Sequence, residues 1–250
     1  MHMDKLDIKT FLSRAELGEA AASSVSRKIG ELLEDQLFVN IIFAAAPSQL
    51  EFLAALRQAP IEWGRIRAFH MDEYTGLRAD AVQGFGNFLR EHLFDRVPLL
   101  AAYCIDGQAA SPENECVRYA GLLRQYPPDI VCMGIGENGH IAFNDPPVAD
   151  FNDPHAVKVV ALDMACRRQQ VNDGCFAELS QVPRHAITLT IPTLMAASYI
   201  YCMVPGKRKA PAVFNTLHQR IIEDYPSSVL RRHPHAELFL DIQSAERIAF

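Results

Sequence analysis

The stretch that decides the fold is FVNIIFAAAPSQLEFLAALRQ, residues 38–58. Its first part, residues 38–46, is a short apolar run of the length that a buried strand needs. Pro47 follows where a helix should begin, and proline suits the first turn of a helix because it has no backbone N–H to leave unpaired. Residues 48–58 then read as that helix. The stretch therefore predicts one strand that runs directly into one helix.

The same alternation of strand and helix continues along the chain. Further strands are predicted at residues 65–71, 129–133, 157–162, 186–190, 198–204 and 237–241, and further helices at about residues 13–34, 85–93, 113–125, 168–179 and 207–218. Strands that are apolar on both faces and separated by amphipathic helices indicate a mostly parallel sheet that is covered on both sides. We therefore predict an α/β fold: a single doubly wound, Rossmann-like sheet with helices on both faces. No linker or composition break divides the chain, so residues 1–250 are predicted to form one domain.

Composition and charge exclude several classes of protein. The net charge of −6 and the absence of a broad basic face argue against nucleic-acid binding. No apolar run is long enough to span a bilayer, and no signal sequence is evident, so we expect a cytoplasmic protein without membrane contact. The six cysteines show no C-x-x-C spacing and are predicted to be reduced thiols.

In a doubly wound sheet, ligands bind beyond the carboxyl ends of the strands, so the turns after Ala44, Met71, Met133 and Val204 are where chemistry is expected. The first of these turns, residues 44–48, is either an anion site at a helix N-terminus or an ordinary tight turn. The second carries Asp72 and Glu73, of which one is a candidate general base if it is buried; the alternative is a solvated turn.

The third turn begins GIGENGHIAFNDPP, residues 134–147, whose glycine spacing is typical of a dinucleotide-binding turn. Pro146 and Pro147 forbid the helix that such a turn requires, so the glycines instead allow the backbone to approach a ligand closely. Asn138, His140 and Asp145 would then meet in one pocket, which is the usual composition of a tuned acid–base group.

The fourth turn carries residues 207–209, three consecutive cations that either reach an anionic ligand or form a solvated corner. His233 and His235 lack a second cluster of metal ligands, and no H-E-x-x-H motif occurs, so no catalytic metal is predicted. The sequence also lacks the G-x-S-x-G motif of a serine nucleophile.

With these motifs in order, the chain resembles the glucosamine-6-phosphate deaminase/isomerase family, whose wider superfamily includes the 6-phosphogluconolactonases. The resemblance is carried by FHMDEYTGL (residues 69–77), GIGENGHIAFNDP (134–146), VPRHAITLTIPTLMAA (182–197), the lysine of VPGKRKA and LRRHPHAELFLD (230–241). It implies that a 2-amino-2-deoxyhexose 6-phosphate, glucosamine or galactosamine 6-phosphate, is ring-opened, isomerised and converted to a 2-ketose 6-phosphate and ammonia.

The resemblance also implies a role for each site residue. Asp72 would be the base at C2, and His140 would assist ring opening, with Asp145 and Asn138 beside it to fix its orientation. Substrate contacts would come from Ala45, Ala46, Ser48, Glu73, Gly136, Gln170 and Lys209. Neither an organic cofactor nor a metal is required, the partner is a small sugar phosphate, and a homo-oligomer is left open.

The chain departs from the family pattern mainly where the phosphate should bind. Residues 44–46 are alanines where the family usually has Gly-Gly-Thr, and Gln170 stands where an arginine usually supports the phosphate. Near the histidine, Asn138 replaces a common acid and Asp145 a glutamate. Two alternatives therefore remain beside the deaminase: a 6-phosphogluconolactonase-like hydrolase, and a sugar-phosphate-binding paralogue that has lost turnover.

Overall fold

The computed structural model describes residues 6–248. Its main feature is a seven-stranded, fully parallel sheet with the strand order β1-β10-β9-β6-β2-β3-β5. These strands are β1 (Asp7–Phe11), β2 (Val39–Phe43), β3 (Ile66–His70), β5 (Ala101–Tyr103), β6 (Ile130–Met133), β9 (Tyr199–Val204) and β10 (Ala236–Asp241). The chain first adds strands outward from β2 and then returns to the other side of β2 with β6. The predicted α/β, doubly wound, mostly parallel fold is confirmed.

Helices cover both faces of this sheet, as the two-sided apolar strands require. On one face lie α1 (Arg14–Asp35), α2 (Leu50–Gln58) and α3 (Phe85–Leu89), and on the other lie α4 (Pro112–Gln125), α6 (Ile191–Met195) and α7 (Ala210–His218). The protein has two hydrophobic cores, one on each face of the sheet. Strand β2 contributes to both, since Ile41 and Phe43 pack into the core beneath α1 and α2, and Ile42 packs into the core beneath α4 and α7.

A second, smaller sheet was not anticipated. It consists of three antiparallel strands in the order β4-β8-β7, with β4 (Asp72–Tyr74), β8 (His185–Leu189) and β7 (Val157–Ala161). Strands were predicted at residues 157–162 and 186–190, but in the main sheet. The prediction of one sheet was wrong because a short apolar run indicates a strand without indicating which neighbour it pairs with.

The predicted helix at residues 168–179 is also misplaced, because α5 spans Met164–Asn172. Its N-cap is Asp163, whose side chain accepts the Ala165 N–H at 2.9 Å. The helix ends before Gly174, whose φ of 77° belongs to the left-handed region that glycine tolerates. Strands β1, β4 and β5 were missed, and each is short or lies at a sheet edge.

Two other predictions concern the whole chain. All six cysteines are free thiols, as expected. Among residues 6–248, no helix combines the length and the apolar character that crossing a bilayer would demand.

Candidate active site

A cavity lies where the strand order of the main sheet reverses, beyond the carboxyl ends of β2 and β6. All four turns that the sequence singled out contribute to its wall. The predicted site residues found there are Ala45, Ala46, Ser48, Asp72, Gly136, His140, Gln170 and Lys209. Ligands bind at this position in doubly wound sheets because neighbouring loops diverge and leave a crevice.

His140 is held in one orientation by an amide and a carboxylate on the same side of its ring. Its Nδ1 atom lies 2.9 Å from Asp145 Oδ1 and 2.7 Å from Asn138 Oδ1. Asn138 in turn donates a side-chain N–H to Asp145 Oδ1 at 2.8 Å. Because both neighbours of Nδ1 are acceptors, the ring proton belongs on Nδ1, and Nε2 is left as the basic nitrogen.

Asp145 is suited to orient the ring because it stays ionised inside the protein. Burial raises the pKa of this carboxyl, but the charge and hydrogen bond of His140 and the Asn138 amide outweigh burial, and the pKa lies below its usual range. A buried anion on Nδ1 stabilises the protonated imidazole whenever Nε2 takes up a proton.

The glycine turn before His140 is shaped by the ring itself. A Cβ on Gly136 would overlap three atoms of the His140 ring, so only glycine allows the ring to lie against the backbone. Gly139 has a φ of 87°, which also favours glycine. The glycines therefore allow the His140 ring to lie where it does, and the expectation that they let the backbone approach a ligand closely stays a prediction.

The rest of this loop is fixed by hydrogen bonds from β8. Asn144 donates its side-chain amide to the Leu189 carbonyl at 2.9 Å, and Thr188 Oγ1 accepts the Phe143 N–H at 3.0 Å. Just before them, Ala142 takes a φ of 47°, a left-handed conformation that costs a non-glycine residue about 1 kcal/mol. Such a conformation persists only where the surroundings hold it in place.

Asp72 reaches the same cavity from the first residue of β4 and is 6% exposed. No residue within 6–248 donates a hydrogen bond to its carboxylate. Burial is the main cause that raises the pKa of Asp72 to about 7; His70 opposes this rise, and the charges of Glu73 and Asp145 add to it. A carboxylate with this pKa is a competent general base near neutral pH.

Lys209 supplies positive charge on another wall of the cavity. It ends the short turn Lys207–Lys209 and is only 8% exposed. Burial lowers the pKa of this amine, while Asp173 and Glu137 act in the opposite direction. Its ammonium forms no ion pair or hydrogen bond with any other described residue. A buried cation without a protein partner favours an anionic ligand beside it.

The alanine turn lies next to this lysine. Ala45 and Ala46 line the cavity with Ser48, whose Oγ accepts a hydrogen bond from Gln49 at 3.2 Å and so keeps its own hydrogen free to donate. Gln170 lines the cavity from α5 and is 7% exposed. The structure thus brings the predicted phosphate-turn residues and Gln170 to one place.

Glu73 does not reach this cavity, although the sequence placed it among the substrate contacts. Its carboxylate accepts the backbone N–H groups of Tyr74 at 2.9 Å, Phe85 at 3.0 Å and Gly86 at 2.8 Å. In a strand, successive side chains point to opposite faces, so Asp72 and Glu73 cannot both face one pocket. Glu73 instead caps the N-terminus of α3.

Sequence reasoning missed Cys166, which lies against His140 and Asp145. Ligand atoms of His140, Asp145 and Cys166 lie within 4.8 Å of one another, and all three residues are buried. Burial raises the pKa of the Cys166 thiol well above its usual range, with Asp145 adding to the effect. A metal would need the thiolate, so the cluster favours a protonated thiol beside Asp145; the prediction that no metal is required remains a prediction. No motif marks Cys166, and only its helical position opposite the loop could have suggested it.

Fold and site together define a doubly wound α/β protein with a histidine and a buried carboxylate at its topological switch point. Comparison with known sequences then gives the family. The chain belongs to the glucosamine-6-phosphate isomerases/6-phosphogluconolactonase family, whose model matches residues 12–240.

Individual relatives agree with this assignment. A glucosamine-6-phosphate deaminase of Bacillus cereus (strain G9842) is 34% identical over 239 residues, which is 96% of this chain and 87% of the relative. A glucosamine-6-phosphate deaminase of Bacillus thuringiensis (strain Al Hakam) is 34% identical over 223 residues, 89% of this chain and 83% of the relative.

Solved structures show the same fold. A monomeric glucosamine-6-phosphate deaminase superposes with a TM-score of 0.87 at 26% identity, covering 96% of this chain and 99% of the other. A 6-phosphogluconolactonase of Thermotoga maritima gives a TM-score of 0.77 at 20% identity, covering 95% of this chain and all of the other, and at that identity only the fold is informative.

Proposed function

We propose that this protein is an enzyme that converts a 2-amino-2-deoxyhexose 6-phosphate, glucosamine or galactosamine 6-phosphate, to the 2-ketose 6-phosphate and ammonia. The observation that carries the proposal is the Asp72 carboxylate, which is buried, unpaired among the described residues and in the same cavity as His140. Two curated relatives named as deaminases of glucosamine 6-phosphate support the substrate class.

His140 would act first, on the closed sugar ring. With the ring proton on Nδ1, Nε2 is free to accept the proton of the C1 hydroxyl and to return a proton to the ring oxygen as the C1–oxygen bond to the ring breaks. Asp145 stabilises the positive ring between these two transfers. The open-chain aldehyde results.

Asp72 would act next, at C2. That carbon carries an ammonium group and adjoins the aldehyde, and both make its hydrogen acidic enough for a carboxylate base. Removal of the proton gives an enolamine, and protonation at C1 gives an imine at C2. Water adds to the imine, and ammonia leaves. The 2-ketose is therefore formed without an external oxidant or reductant.

The phosphate of the substrate would lie against Lys209, the Ser48 hydroxyl and the backbone at Ala45 and Ala46. This arrangement combines one cation with the N-terminal turn that leads into α2. Gln170 contributes an amide in place of charge, so we expect weaker phosphate binding than two cations would give.

We further propose that the protein works in the cytoplasm, which is supported by its six free cysteines. A reducing compartment would keep these thiols as they are in the structure.

The proposal is tested by incubating purified protein with glucosamine 6-phosphate and, separately, with galactosamine 6-phosphate, and measuring ammonia and ketose phosphate. Both products should form in equal amounts from at least one substrate. Asp72→Asn should lower kcat by about 100-fold or more, the usual contribution of a general base. Because Asp72 must be ionised, kcat/KM should rise with pH up to about 7.

Lysine variants test the phosphate site in the same assay. Lys209→Met should raise KM at least tenfold, roughly the loss of one charge-assisted contact. Lys207→Met is the matched control, because the Lys207 side chain is 75% exposed and pairs with Glu246. Absence of ammonia from either amino sugar, with an authentic deaminase active in parallel, would refute the proposed reaction. Hydrolysis of 6-phosphogluconolactone without ammonia would instead identify a lactonase.

A further inference from the structure

A second cavity lies one strand away from the proposed active site, at the edge of the main sheet. Its volume is about 220 Å³, and its wall includes Glu73, Arg78, Arg90, Cys104 and Asp106. Of the predicted catalytic and substrate-binding residues, only Glu73 borders it. The proposed function leaves this cavity without a role.

A histidine and a cysteine meet at this cavity because two neighbouring strands end there. Strands β3 and β5 are parallel, and Phe69 lies opposite Tyr103 in the register. His70 is the last residue of β3, and Cys104 is the residue that follows β5. Cys104 lines the cavity, and His70 is fully buried behind it.

The His70 ring has a buried N–H without a hydrogen-bonded partner among the described residues. Its Nδ1 accepts the Ile105 N–H at 3.3 Å, so in the neutral ring the proton is on Nε2. Nε2 is buried and lacks a hydrogen-bonded acceptor among the described residues. Glu73 Oε2 stays 3.6 Å from it because that carboxylate is committed to the backbone of α3. Because His70 and Cys104 follow paired residues of adjacent strands, a negatively charged sulfur on Cys104 is a neighbouring group that can complete this donor.

Charge in the surroundings acts in the same direction. Burial raises the pKa of the Cys104 thiol, but His70 and then Arg90 lower it, against a smaller opposing contribution from Glu73, and the net pKa lies below the ordinary value. The other five cysteines all have raised pKa values, with burial as the main cause. Cys104 is therefore the exceptional thiol of the six.

We propose that Cys104 is a nucleophilic thiol activated by His70, and that hydroperoxides entering this cavity modify it. The thiolate sulfur attacks one oxygen of the peroxide, a sulfur–oxygen bond forms and the oxygen–oxygen bond breaks. Sulfur is oxidised by two electrons to a sulfenic acid, and the peroxide is reduced. The leaving hydroxide or alkoxide takes up a proton, and Arg90 at the cavity wall stabilises its negative charge. This reaction is independent of any turnover of sugar phosphates.

The first test is the rate of alkylation of each cysteine by iodoacetamide between pH 6 and 9, followed by peptide mass spectrometry of the native protein. Cys175 is the internal control, since it is also partly exposed but its pKa is raised by burial. At pH 7, Cys104 should react about tenfold or more faster than Cys175, because each unit of pKa changes the thiolate fraction tenfold. Equal rates, or a Cys104 rate that climbs only at the pH of an ordinary thiol, would overturn the proposal.

The second test is treatment with hydrogen peroxide in the presence of dimedone, which traps sulfenic acids. The label should appear on Cys104 before any other cysteine and should be lost in Cys104→Ser. His70→Asn should slow labelling about tenfold while the thermal unfolding transition is retained. If that variant does not fold, the pH dependence of Cys104 alkylation in the unsubstituted protein tests the proposal instead. Failure of Cys104 to take up the label ahead of Cys175 would contradict the peroxide chemistry.

Discussion

Asp72 is a buried residue whose ionised side chain lowers the stability of the protein. Its carboxylate lies inside the protein without a hydrogen-bond donor from the described residues, which an ordinary buried acid does not tolerate. Burial raises its pKa to about 7. Between the pKa of the unfolded chain, about 4, and pH 7, the folded protein holds a proton that the unfolded chain releases. The free energy of unfolding therefore falls as pH rises through this interval.

Asp72→Asn should remove this dependence. At pH 8 the variant should be more stable by roughly 1 to 3 kcal/mol, because an amide replaces a buried charge of similar shape, whereas near pH 4 the two proteins should be alike. Urea unfolding at the two pH values measures the difference. If the variant were destabilised equally at both pH values, the Asp72 carboxylate would have to make stabilising contacts that the structure does not show.

Gly136 is a second residue whose role is local. Gly136→Ala would place a methyl group where the His140 ring lies, so the ring must rotate away from Asp145. We expect kcat to fall about 100-fold, the loss of an oriented acid–base group. Gly121→Ala, whose Cβ would meet only the end of the Arg124 side chain at 3.8 Å, is the control and should keep full activity. Unchanged kcat in Gly136→Ala would show that the orientation of the ring does not matter.

At this scale the sequence was most informative where one motif holds a whole cluster. Asn138, His140 and Asp145 were predicted to share a pocket, and they touch one another because one short loop carries them. Glu73 lies outside the cavity, because a pair of adjacent acids does not reveal which one faces the cavity until the strand is known. Cys166 was missed because its contact with Asp145 joins distant parts of the chain.

At the scale of elements, the contact between α1 and α2 depends on a small residue. A Cβ on Gly18 would lie 2.7 Å from the backbone carbonyl carbon of Glu51, so the two helices could not approach as they do. Gly30 lies in the same helix, exposed, with nothing within 4 Å of its Cβ position. One helix thus offers two glycines with opposite surroundings.

Gly18→Ala should destabilise the protein by about 1 to 3 kcal/mol through overpacking, whereas Gly30→Ala should stabilise it by about 1 kcal/mol through helix propensity. Thermal and urea unfolding of the two variants, side by side, measure both effects. If Gly18→Ala also stabilised the protein, the close packing of α1 on α2 would not restrict the size of the side chain at position 18.

The elements themselves were predicted with uneven success for a physical reason. Central strands such as β2 and β6 are apolar on both faces, and that pattern is visible in the sequence. Strand β1 has mostly exposed side chains, and β4 and β5 have three residues each. These strands are stabilised by pairing with strands distant in the sequence, which the local sequence does not reveal.

At the scale of the whole molecule, residues 1–250 are predicted to form one domain, and the prediction extends at both ends beyond the described residues. The two hydrophobic cores lie on opposite faces of one sheet and share its strands. We therefore expect one cooperative unfolding transition, with fluorescence and circular dichroism coinciding in urea. Two separated transitions, or a stable fragment after limited proteolysis, would indicate more than one folding unit.

The pairing of β1 with β10 has a consequence for the biosynthesis of the chain. Asp7 lies opposite Glu237, and Lys9 binds Glu237 at 2.6 Å. The strand that leaves the ribosome early therefore has no partner until the strand near the other end has been made, roughly 10 to 50 seconds later at ordinary rates of translation. Residues 7–11 must stay unpaired throughout that interval. Their side chains are mostly exposed and polar, which favours the solubility of the unpaired segment.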